Sequence, residues 1–146
     1  MTTLSQRVDL LGAMSKQGQV RQKSERLTVL VGLLSDSQHE HEKAKANLTA
    51  FEALLEERAD ILLASVEGKN AETRKAGLVV AKQADQEWQQ LLNMVNTARA
   101  KLLDTALGTD RLKREWAVLH LQIHVFTATL GFLAGGNGND GKTTVD

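Results

Sequence analysis

Glu67-Gly68-Lys69-Asn70 is the one place in the middle of the chain where a helix stop and a helix start coincide. Gly68 suits the left-handed residue that ends many helices. Asn70 is a good N-cap, because its side-chain oxygen can accept a bond from an orphan backbone amide of the first turn. Glu72 then lies in that turn, where the helix dipole favours an acid. A turn here splits the sequence into two long arms.

Both arms carry a seven-residue repeat. Val20, Leu27, Leu34, His41, Leu48, Leu55 and Leu62 fall at steps of seven, with Leu30, Ala44 and Phe51 in a companion column. In the second arm Ala81, Trp88, Val95, Leu102, Thr109, Trp116, Ile123 and Leu130 form one column. Leu91, Ala98, Leu112, Leu119, Phe126 and Leu133 form the other. Alternating steps of three and four put apolar side chains on one stripe of a helix, the pattern of helices that wrap around each other. With the turn centred between Lys69 and Asn70, Phe51 faces Trp88, Leu48 faces Leu91, Leu55 faces Ala84, His41 faces Ala98 and Leu27 faces Leu112. Both columns match across the turn. A polar residue such as His41 in a seam sets register more often than it does chemistry.

The expected fold is therefore all-α, a long antiparallel two-helix coiled-coil hairpin assembled into an oligomer. Each arm would span roughly 95 Å at 1.5 Å per residue. The alternative is a four-helix bundle, with further turns at Ser35-Asp36-Ser37 and Gly108-Thr109-Asp110. The expected organisation is a single helical domain over 1–134 with its turn near 67–70. A flexible Gly/Asn-rich tail over 135–146 would follow.

Composition agrees with an aliphatic seam. Of 146 residues, 42% are apolar but only 3% aromatic. There is no proline to remove a backbone donor, and no cysteine for a disulfide, thiolate site or nucleophile. The start of the chain is polar, without the apolar stretch of a signal peptide, so a cytoplasmic location is expected. Eighteen basic and 18 acidic residues cancel, which excludes a uniformly basic nucleic-acid binder.

The arms fail to match toward their far ends. Lys23 would face Trp116, Lys16 would face Ile123 and Asp9 would face Leu130. Trp116 to Asn139 holds no charged residue over 24 positions. One amphipathic arm cannot cover a helix that is apolar on most sides, and an uncovered apolar patch marks a partner surface. The expected oligomer interface is Trp116, Leu119, Ile123, Phe126, Leu130 and Leu133. Self-association is the leading reading, with docking of a different protein second. Membrane insertion through 116–134 is the third, although His120, Gln122, His124, Thr127 and Thr129 interrupt the stretch and no basic flank follows it. Basic residues gather at a similar height: Arg21, Lys23, Arg26, Arg111, Lys113 and Arg114 could form a belt contacting nucleic-acid phosphates. No aromatic is interleaved with them for base stacking.

Two motifs resemble chemistry. Residues 136–143 match the phosphate-loop pattern, but no strand enters the loop and three residues follow Thr143, so a nucleotide site is not expected. His120 and His124 have the spacing of two ligands on one helix, but a third ligand is missing. No catalytic constellation appears, so no enzymatic activity, cofactor or metal is expected.

The run Glu67-Gly68-Lys69-Asn70-Ala71-Glu72-Thr73-Arg74-Lys75-Ala76, followed by an Ala/Leu/Gln/Glu-rich helix, resembles small helical proteins encoded by bacteriophages within recombination and replication gene modules. The likeness covers residues 66–119. It implies a phage context and favours a DNA-associated accessory role as the alternative to a scaffold or adaptor. It carries over no functional residue.

Overall fold

The computed structural model describes residues 3–136, and these are helical almost throughout. There are three helices: α1 over Leu4–Ser65, α2 over Ala71–Ala84 and α3 over Gln86–Gly136. The all-α class stands. The two-helix coiled-coil hairpin does not, because the second arm is broken into α2 and α3. The four-helix bundle does not either, since Ser35-Asp36-Ser37 lies inside α1 and Gly108-Thr109-Asp110 inside α3.

Each helix start has a local cause. At α1, the Thr3 amide donates to Gln6 Oε1 (3.0 Å) and the Gln6 amide to Thr3 Oγ1 (3.4 Å), a reciprocal cap. At α2, the Thr73 amide donates to Asn70 Oδ1 (2.8 Å) and the Asn70 amide to Thr73 Oγ1 (3.3 Å). Gly68 is not left-handed. Its bare α-carbon instead makes room for Arg74, whose Cγ would lie 2.8 Å from an added Cβ. Gly77 plays the same part for Val66, whose Cγ1 would lie 2.6 Å from a Cβ there. Close approach, not backbone sign, explains both glycines.

The break between α2 and α3 is made by Asp85, whose backbone is extended (φ −85°, ψ 113°). Its amide donates to the Ala81 carbonyl, the last bond of α2, at 3.0 Å. Its Oδ1 accepts from the Trp88 amide at 2.6 Å, capping α3. Arg58 of α1 holds the same carboxylate through Nε (3.3 Å) and a terminal nitrogen, and reaches Glu87 at 2.9 Å. Aspartate caps a helix better than it continues one. Here the cap is anchored by an ion pair.

The chain divides into two compact units. Met1–Ser35 with Arg111–Asp146 form one, and Asp36–Asp110 the other. Within Asp36–Asp110, Ala44, Leu62, Val95, Ala98 and Thr109 are buried. Ser37 meets Thr109, His41 meets Thr105 and Glu52 meets Arg99, so the two helix segments run antiparallel. His41 was expected against Ala98. It lies against Thr105, seven residues further along α3. A displacement of one heptad keeps both columns in the seam while changing every partner. Within the other unit, Leu30 is fully buried. Lys23 lies with its amino group 4.8 Å from the Phe126 ring centre and donates to Gln122 Oε1 at 2.8 Å, instead of facing Trp116.

Candidate functional site

The uncharged part of α3 begins at Trp116. Trp116, Leu119, Ile123, Phe126 and Leu130 are half-buried and share one stripe. That stripe turns toward α1, as the Lys23–Phe126 contact shows. The side chain of Leu133, the sixth residue expected at an interface, lies outside those described. A second apolar stripe on the same helix is open. Val118, Leu121 and Val125 are 54%, 63% and 52% exposed, at steps of three and four, and therefore lie on one face. They are more exposed than the five expected residues, which are half-buried. The clue in the sequence is that positions facing away from the seam, which normally carry charge, are apolar here as well.

The basic residues do not form one free belt. Arg26 holds Glu115 through two bonds, at 2.9 and 3.3 Å, and this pairing raises its already high pKa. Arg21 pairs with Glu25 at 3.2 Å, and Lys23 is folded over Phe126. Arg111, Lys113 and Arg114 are exposed and make no ion pair among the described residues. Half of the suggested phosphate-binding set thus already has an intramolecular partner.

The histidines divide in the same way. His120 stacks on Trp116, with ring centres 4.9 Å apart and planes at 19°. His124 is exposed one turn on. Among the described residues no three His, Cys, Asp or Glu side chains come together to hold a metal. The phosphate-loop pattern lies outside the described residues apart from Gly136, the last residue of α3. No helix of the described residues is long and apolar enough to cross a membrane, so insertion of 116–134 has no support from the structure.

Three features were not anticipated from the sequence. One is the Arg58–Asp85–Glu87 cluster. The Arg58 hydrogen bond, and after it the Trp88 amide, hold the Asp85 carboxyl below the usual carboxylate range. A second is an open cleft of about 750 Å³ beside the turn. Leu63, Val66 and Leu78 line it, with Asp60, Arg74 and Lys75 among its polar residues. It holds no histidine or hydroxyl nucleophile. The third is a set of hydroxyl and imidazole groups inside the α1–α3 seam, formed by Ser37, His41, Thr105 and Thr109. Asp110 and Asp36 flank this set in sequence, but neither makes an ion pair among the described residues.

No known family, curated protein or solved structure matches the chain. These comparisons neither support nor refute the resemblance at Glu67–Ala76.

Proposed function

We propose that the protein acts by binding protein surfaces, in the first place a second copy of itself, and not by catalysis. The observation that carries this reading is the open stripe Val118, Leu121 and Val125, on a helix whose opposite stripe is already turned inward. Apolar side chains more than half exposed and aligned along two turns gain free energy when a partner removes them from water, at about 25 cal/mol per Å² of apolar surface. The stripe itself carries no ionised group that burial would desolvate. A helix laid along this stripe would engage residues at steps of three and four, the usual mode of helix-in-groove recognition.

The test is mass determination by light scattering at micromolar concentration. The parent chain should have a multiple of its 16.0 kDa mass. Leu121→Asp should be monomeric with unchanged helical circular dichroism. Leu119→Asp, on the covered stripe, should instead lower the thermal midpoint. A monomeric parent overturns the reading.

A further inference from the structure

We propose that two hydrogen-bonded side-chain pairs, Ser37–Thr109 and His41–Thr105, fix the register of α1 against α3 in the Asp36–Asp110 unit and hold it against a slip of one heptad. The apolar columns do not discriminate between these registers. In the observed one, stepping by seven from His41–Thr105 sets Leu48 level with Ala98. In the slipped one Leu48 stands against Leu91, still apolar on apolar. The slipped register is the one that an unbroken second arm would take with a turn centred between Lys69 and Asn70.

The polar groups do discriminate. Thr109 Oγ1 donates its proton to the Thr105 carbonyl at 2.9 Å, and Thr105 Oγ1 donates to the Leu102 carbonyl at 2.9 Å. Each hydroxyl has one proton, so both threonine oxygens can only accept across the seam. Ser37 therefore donates to Thr109 (2.7 Å) and His41 donates its Nδ1–H to Thr105 (3.0 Å). The network runs in one direction, from α1 into α3 and on into the carbonyls of α3. It is complete: among the described residues no buried side-chain polar atom lacks a partner. A slip would put His41 against Ala98 and Ser37 against Leu102. Both donors would then face apolar side chains, and Thr109, only 7% exposed now, would lose its cross-helix bond. A polar group is costly to bury without a partner, so register follows the pairs that satisfy it.

The experiment measures a spin-label distance between Lys45→Cys and Lys101→Cys. Both sites are exposed, level in the observed register, and without a native cysteine to compete. The parent background should give one short distance. Adding Ser37→Ala, His41→Leu, Thr105→Val and Thr109→Val should bring in a second population, because a slip of seven residues displaces the labels by roughly 10 Å. A single unchanged distance in that folded variant overturns the proposal. Should the variant lose its helical signal, Ser37→Ala with Thr109→Val is read in its place. There too a longer population supports the proposal and a single short distance refutes it. Independently, nitrogen NMR of the unaltered chain should find the His41 proton on Nδ1. A ring protonated on Nε2 alone removes the donor and with it the register lock.

Discussion

The Asp36–Asp110 unit and the unit formed by Met1–Ser35 with Arg111–Asp146 share the same heptad columns but fill them differently. In the first, small residues alternate with Leu48, Phe51 and Trp88 along the seam, and Ala44, Ala98 and Val95 are buried with Leu62 and Thr109. In the second, Lys23, Trp116 and Phe126 occupy equivalent steps, and Leu30 is its one fully buried apolar side chain among the described residues. Small side chains let helix backbones approach and exclude water. Bulky and charged ones hold the stripe half open. A repeat of apolar positions therefore predicts where a seam runs, while residue size decides how well it closes.

The sharpest way to break this contrast is Leu30→Ala. In a seam with so little else buried, it should cost about 2–5 kcal/mol, read as a lower urea midpoint, with amides of 20–34 and 112–126 losing exchange protection before those of 44–62. Equal loss in both units would mean that they fold as one. The next effect concerns acid. Asp85 has its folded pKa lowered by Arg58 and by the Trp88 amide, so its contribution is fully present above the unfolded aspartate value of about 3.9. That contribution is lost as pH falls through the lower folded value. Urea midpoints measured from about pH 6 down to about pH 2 should fall across this window in the parent, and less steeply in Asp85→Asn. The smallest effect should come from Arg21→Ala. Its partner Glu25 lies four residues away on an exposed face, and such pairs contribute under about 0.5 kcal/mol. A larger change would show that the open unit depends on its surface charges.

The columns from Val20 to Leu62 and from Trp88 to Leu130 were legible because burial must recur with the helix period, and each of those residues is buried or half-buried. The cap at Asn70 was legible because its oxygen has few better uses at a helix start. Register was not. Periodicity cannot distinguish displacements that are multiples of its own period; polar pairs across the helices, inside the seam at Ser37–Thr109 and His41–Thr105 and at its edge at Glu52–Arg99, break that degeneracy. The Asp85 break was hidden for a related reason: Ala81 and Trp88 keep the seven-residue step across it. What stops the helix is a cap completed by Arg58, 27 residues away in sequence. For the candidate site, the uncharged segment of α3 carries both the half-buried stripe named from the sequence and the open one at Val118, Leu121 and Val125; which of two apolar faces is covered depends on register.

The single extended residue at Asp85 has a consequence for how the protein opens. It gives α2 its own ends, and α2 has no buried residue. The helix is held by Val66 against Gly77, by its cap, by the Asp85 joint and by Lys82 over the Trp88 ring. Its amides can therefore exchange with solvent, and its backbone can be nicked by a protease, through a local excursion that leaves the α1–α3 seam closed. Limited digestion should cut within 71–84 first and leave two fragments still bound to each other.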